Sequence, residues 1–170
     1  GEDLTINEVV EVARNKVKVE LNTIAKKNIK KARKMVDDLV SEDKVVYGIT
    51  TGFGKFSDKK ISPTEVLKLQ ENLIKSHATG TGQPLPQEVV RAMMLLRINN
   101  LARGHSGIKY KTVKLMIDML NKDVVPWVPE QGSVGASGDL VPLAHMVLVM
   151  MGKGKAYYEG ELLEGDKILE

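Results

Sequence analysis

The apolar positions of this chain recur mostly at intervals of three and four, the period of a helix that turns one face inward. Ala25, Ile29, Ala32, Val36 and Leu39 draw such a stripe and predict a long amphipathic helix from about Thr23 to Val40. Val89, Val90, Met93, Met94, Ile98 and Leu101 predict a second one, ending near Gly104, and Val113, Met116, Ile117 and Leu120 a shorter third. From Leu140 to Met151 the sequence is apolar on nearly every face, which predicts a fully buried helix with Asp139 as its cap and Gly152 as its stop. Two more helices announce themselves by their starts. Thr5 and Glu8 in "TINE" have capping-box spacing and open a short helix to about Arg14, while "SPTE" offers Ser62 as cap, Pro63 at the first helical position and Glu65 to complete the box of a helix reaching about Ser76. Only "VVYGI" (45–49) and "KAYYEGELL" (155–163) read as strands, so the fold class is mainly α with at most short strands.

Composition narrows the partners more than the fold. At 170 residues and 42% hydrophobic content the chain has enough to bury one core, which predicts a single domain over 1–170 and excludes wholesale disorder. The net charge of +3 is spread thinly, and the one basic cluster, "KKNIKKARK" (26–34), carries a helical apolar stripe. That pattern is a solvated helix face, so no nucleic-acid partner is expected. The eight methionines lie on the apolar stripes and read as gap-filling core. Cysteine is absent, which rules out disulfides and thiolate metal sites, and His77, His105 and His145 have no ligand spacing, so no metal is expected. Neither a signal peptide nor a membrane-spanning run is written in the sequence, and the expectation is a cytoplasmic protein with no membrane partner. The chain begins with Gly1 rather than Met and ends on "EGDKILE", which reads as a piece of something longer.

Two connections stand out. "YGITTGFGKFSDKKI" (47–61) is a long loop with three glycines, and "EQGSVGASGD" (130–139) crowds Gly132, Ser133, Gly135, Ala136, Ser137 and Gly138 against the most apolar helix. The first is not a phosphate-binding loop, because one residue too many separates Gly48 from Gly54 and Phe56 stands where a hydroxyl is required. The second is not a nucleophile elbow, because Asp139 occupies the second glycine's place. Such a small-residue run costs conformational entropy, so something local must require a close backbone approach. Ala136, Ser137 and Gly138 permit one: the Gly138 nitrogen can attack the Ala136 carbonyl carbon and close a five-membered ring. Loss of water, including the Ser137 hydroxyl, then leaves an exocyclic methylene, an electrophile made from the chain itself. A helix N-terminus just beyond it favours the negative charge that accumulates when a nucleophile adds. Taken alone, the tripeptide is more simply a flexible turn that caps a helix.

The surroundings decide otherwise. "GSVGASGDLVPLAHM", with "VVYGITTGFGKFSD", "LQENLIKSHATGTGQPLP" and "MMLLRINNLARGHSGI" in this order and at these separations, resembles the aromatic amino acid ammonia-lyase family, and within it the lyases that act on histidine. The resemblance runs from about Leu4 to Leu163 and implies the N-terminal helical part of the fumarase/aspartase-like fold. It implies that Ala136, Ser137 and Gly138 condense into a 4-methylidene-imidazol-5-one prosthetic group and that Tyr47 is a catalytic acid/base. Without that motif Tyr47 would read as a ring packed beneath a loop. It further implies that Ser76 and His77 select the substrate. A polar pair here suits an imidazole, whose ring nitrogens need partners once desolvated, where leucine would suit a benzene ring. The implied reaction is elimination of ammonia from L-histidine to give urocanate, in a homotetramer. Rival readings are a tyrosine or phenylalanine lyase or aminomutase of the same family, and a helical assembly segment without turnover. Family members are much longer, so the 170 residues alone are expected to be inactive and to keep the tripeptide uncyclised.

Overall fold

Along the described residues, which are 3–42, 44–52, 63–134 and 138–170 of a computed structural model, the elements follow one another as three helices, a strand, two helices, two strands, a helix, two strands and a last short helix. The helices are α1 (Ile6–Arg14), α2 (Thr23–Ser41), α3 (Pro63–His77), α4 (Gln87–Ala102), α5 (Tyr110–Asn121), α6 (Leu140–Met150) and α7 (Gly165–Leu169). The strands are β1 (Thr81–Pro84), β2 (Val125–Pro126), β3 (Pro129–Gln131), β4 (Lys155–Tyr158) and β5 (Glu161–Glu164). The mainly α expectation holds.

Local chemistry sets the starts of α1 and α2. The Thr5 hydroxyl accepts from the Glu8 amide at 3.3 Å, and the Glu8 carboxylate takes the Thr5 amide at 2.7 Å, completing the capping box. That backbone bond, the largest of its causes, holds the Glu8 carboxyl below its ordinary range. Asn22 caps α2 by accepting the Ala25 amide at 2.7 Å. In α2 the stripe dries only in its first half, where Ala25 and Ile29 are buried while Ala32, Val36 and Leu39 are half-covered. Its basic cluster lies on the exposed side, with Lys34 paired to Asp38 at 2.7 Å and Arg33 to Asp37, as a solvated face should be.

The core gathers on α4, whose Val90, Met94, Leu95, Ile98 and Leu101 are buried against Val113, Met116 and Leu120 of α5, Ile29 of α2 and Val12 of α1. Each such side chain contributes about 1.5–3 kcal/mol of burial. Met94, Met116, Met119 and Met146 fill this core as expected, whereas Met35 is 67% exposed on α2.

One polar residue lies among them. Arg91 is 2% exposed, and its guanidinium reaches three chain segments. Nη2 donates to the Val12 carbonyl at 2.9 Å, Nε to the Ala13 carbonyl at 3.2 Å, and Nη1 to the Leu120 carbonyl at 3.1 Å and the Asp123 carboxylate at 2.7 Å. Those carbonyls belong to the last turns of α1 and α5, which lack partners inside their own helices. A cation there also meets the negative ends of both helix dipoles.

Two antiparallel sheets complete the frame. β1 pairs with β3, with Thr81 opposite Gln131, and β4 lies between β2 and β5. The 155–163 segment, expected to be extended, forms strands β4 and β5, which pair as a hairpin. The expected strand at 45–49 is instead a turn, because the Ile49 and Thr50 amides fold back onto the Val46 carbonyl at 3.1 and 3.0 Å. Thr50 closes it, accepting from the Val46 amide and donating to the Lys44 carbonyl at 2.6 Å. α6 is also less buried than its sequence suggests. Ala144, Met146 and Val149 are covered by neighbours that include α3, α7, β2 and β4, but Leu140 is 47% exposed. Asp139 does stand at its N-cap position, yet with φ 53° it makes no side-chain cap. The expected cap at Ser62 lies outside the described residues. No helix among the described residues is long and apolar enough to cross a membrane.

Replacing Arg91 by Met should lower the unfolding free energy by about 2–4 kcal/mol, since buried carbonyls lose a charged donor. Urea unfolding measures it. A loss under about 1 kcal/mol would show that the ends of α1 and α5 are held by something else.

Candidate active site

The last turn of α3 presents the two candidate selector side chains around one backbone carbonyl. The Ser76 hydroxyl donates to the Leu73 carbonyl at 2.8 Å, and His77 Nδ1 lies 2.8 Å from the same oxygen. A carbonyl only accepts, so Nδ1 carries the proton and Nε2 is left as the acceptor of the neutral ring. Ser76 Oγ is 3.1 Å from Nδ1, which makes the pair one compact unit.

Beyond His77 the chain is folded tightly, with the Thr79 amide on the His77 carbonyl at 2.9 Å. Gly80 follows, and its amide donates to His145 Nε2 of α6 at 3.0 Å. The pairing of β1 with β3 brings Gly80 beside Gly132, where the small-residue loop begins. A Cβ on Gly132 would stand 3.4 Å from the Gly80 Cα and 3.1 Å from the Val141 Cβ, and would run into Val141 Cγ1. The requirement for a small residue is thus explicit at Gly132. Two backbones, the exit of α3 and the exit of β3, meet here against the Val141 side chain from the first turn of α6, at a junction with no room for a further side chain.

From that junction the loop leaves and returns. Ser133 donates its hydroxyl to the Asp139 carboxylate, so residues six apart close the base of the loop. The carboxylate expected to cap α6 is used here instead. Gly138 has φ 89°, a conformation L side chains rarely adopt, and no atom of the described residues lies within 4 Å of where its Cβ would be. Gly135, Ala136 and Ser137 lie outside the described residues, while Ser133 and Val134 before them and Gly138 and Asp139 after them are described. A closed base and a left-handed Gly138 fit a segment that must bend back on itself, so the described residues fit the prosthetic group that the sequence implies.

Tyr47 is carried by a separate element, the 46–50 turn, and is 63% exposed. Its neighbours Val46 and Ile49 line an open cleft of about 730 Å³ with Ala32, Val36 and Leu39 of α2 and with His105. The rest of the 47–61 loop, from 53 onward, lies outside the described residues. The structure therefore joins Ser76, His77 and the residues around the small-residue loop through the glycine junction, and carries Tyr47 on a separate turn that shares a cleft with α2. His145 has no motif role in the sequence, yet it holds this junction. The one signal that pointed toward the junction was the concentration of small residues. Among the described residues no three acidic or histidine side chains are grouped to hold a metal.

Comparison with known proteins supplies the class. The profile of the aromatic amino acid lyases matches residues 4–170, and the chain belongs to that family. More particularly, the histidine ammonia-lyase of Natranaerobius thermophilus is 57% identical over 169 residues, covering 99% of this chain and 33% of that protein. The chain thus spans about a third of the length of the curated relatives it matches. Among solved structures, histidine ammonia-lyase from Trypanosoma cruzi superposes with a TM-score of 0.89 at 37% identity, covering 98% of this chain and 32% of that one. Phenylalanine aminomutase from Pantoea agglomerans gives 0.92 at 36% identity, with 99% and 32% covered. The backbone is shared by proteins named for different activities, so side chains must distinguish them.

Gly132→Ala should destabilise the protein by about 1–3 kcal/mol, because a Val side chain is stiff and must be displaced. Thermal unfolding checks this with a partner: adding Val141→Ala, which removes the obstructing methyl, should recover most of the loss. Equal cost in both backgrounds would contradict the junction.

Proposed function

We propose that this chain is the N-terminal helical unit of a histidine ammonia-lyase, an enzyme that removes ammonia from L-histidine to give urocanate. The observation that carries the substrate choice is the Ser76 and His77 pair on the Leu73 carbonyl. With its Nδ1 proton engaged there, His77 offers Nε2 to an N–H of the substrate imidazole, a partner that a phenyl ring cannot use. A buried acceptor left unpaired penalises the wrong substrate, which is how one polar contact discriminates. The identity with proteins named histidine ammonia-lyase supports the same choice.

The reading assigns the remaining steps to this chain as follows. A methylidene-imidazolone built from Ala136, Ser137 and Gly138 supplies the electrophile that makes the amino group a leaving group. Tyr47 takes the proton from the substrate's β-carbon and later gives it to the departing ammonia, a task that requires the tyrosine to stand on a firm turn, as Thr50 provides. The N-terminal end of α6, directly after Gly138, places amide dipoles where negative charge accumulates. The prosthetic group comes from the chain, so no metal enters the scheme. The proposal includes assembly as a homotetramer in the cytoplasm, with neither nucleic acid nor membrane as partner, and the 170 residues as one helical domain of the longer enzyme.

The deciding experiment assays the full-length protein with L-histidine, L-tyrosine and L-phenylalanine, following ammonia and the unsaturated acid. Urocanate from histidine alone supports the reading, and turnover restricted to another amino acid, or a β-amino acid product, overturns it. Tyr47→Phe should lower kcat by at least about 100-fold with a smaller change in KM, as loss of a proton-transfer group does. His77→Leu should act mainly on KM for histidine. Steady-state kinetics showing these two behaviours interchanged would reverse the assigned roles.

A further inference from the structure

We infer that His145 is a positioning residue for substrate selection: through the Gly80 amide it fixes where the Ser76 and His77 pair stands relative to the tripeptide loop. The inference rests on the reading of Ser76 and His77 as the selector pair. It assigns to a histidine on another helix the task of placing them.

The geometry supplies each link. His145 lies in the second turn of α6, the helix that begins directly after the loop, and its Nε2 accepts the Gly80 amide at 3.0 Å. The ring is steered by an edge contact with Trp127, centroids 6.3 Å apart and planes at 67°, on the connection between β2 and β3. Gly80 has little freedom to find another partner. A Cβ there would stand 3.1 Å from His145 Nε2, from the Gln131 carbonyl and from Pro129 Cγ, so its backbone is enclosed by α6 on one side and β3 on the other. Only two residues, Ala78 and Thr79, separate Gly80 from His77, and the Thr79 amide folds that short segment onto the His77 carbonyl. A shift at Gly80 is therefore passed directly to the end of α3.

The acceptor role requires a neutral ring with its proton on Nδ1. Burial favours that state, holding the His145 imidazole below its ordinary value of 6.5. A ring that only filled space would be replaceable by any ring of the same size. A ring that accepts one backbone proton is replaceable by another acceptor of the same reach, and this separates the two roles.

The test uses the full-length protein with His145→Phe, which keeps a ring and removes the acceptor, and His145→Gln, whose side-chain oxygen reaches about as far as Nε2. In His145→Phe, KM for L-histidine should rise about tenfold while kcat stays within about threefold, the pattern of lost ground-state placement. His145→Gln should return KM to within about threefold of the wild type. Hydrogen exchange of the Gly80 amide supplies a readout without substrate: slow in the wild type, at least about tenfold faster in His145→Phe, and slow again in His145→Gln. An unchanged KM in His145→Phe, a fall in kcat as large as the rise in KM, or a glutamine variant no better than phenylalanine would overturn the inference. So would fast exchange of the Gly80 amide in the wild type, a result that stands even if a variant fails to fold. Should the wild type act on a different amino acid, the histidine assignment fails while exchange at Gly80 still decides the role of His145.

Discussion

The guanidinium of Arg91 gathers the final carbonyls of two helices and a carboxylate into one buried cluster, and the position of α4 depends on it. A buried cation is tolerable only when its donors are occupied, and here they meet Val12, Ala13, Leu120 and Asp123. Asp123 also takes the Lys16 ammonium at 2.6 Å, so the cluster extends to the exit of α1. With α1 and α5 fixed at their ends, the apolar face of α4 is left for packing. From α4 the constraint passes to the site, because β1 precedes it by two residues and sets the register of β3. β3 in turn delivers Gly132 to the junction. The core and the candidate site are thus consecutive parts of one frame.

That frame explains how a chain can bring the small-residue loop beside the Ser76 and His77 pair without long side chains. Backbone touches backbone at Gly80 and Gly132, and two side chains, His145 and Val141, define how close they come. The loop's own closure by Ser133 and Asp139 then accompanies a positive φ at Gly138. Asp139, a non-glycine residue at φ 53°, holds that conformation only because its surroundings over-determine it. Here the surroundings are a sheet pair, a helix start and a hydrogen bond between loop ends.

How much of this could be read from the sequence depended on how local the cause was. The starts of α1 and α2 follow from contacts within three residues, and Thr5 with Glu8 is legible as a spacing. The helical stripes of α4 and α5 are legible for the same reason. Asp139 misled because the same carboxylate can cap a helix or close a loop, and the choice was made by Ser133, six residues away. The 45–49 segment misled because its β-branched composition yields to Thr50, whose hydroxyl rewards a turn. β1 and β3, written "TGQP" and "PEQ", carry no strand pattern and pair only through tertiary apposition. Arg91 sat unnoticed inside an apolar run, since its partners lie 29 to 79 positions distant. Ser76, His77, Tyr47 and the Ala136 to Gly138 tripeptide were legible only as members of a family motif. The tie between Gly80 and His145 crosses 65 positions and needed coordinates.

The central claim is that the closed loop after β3 holds a tripeptide that reacts with itself. Mass mapping of the peptide spanning 130–153 from the full-length protein tests this most directly, with Ser137→Ala as the unreactive control. The account predicts a wild-type peptide lighter than its sequence by the two waters that ring closure and serine dehydration release, and a control peptide that does not lose both. A wild-type peptide of unmodified mass in a preparation that converts L-histidine to urocanate would contradict it.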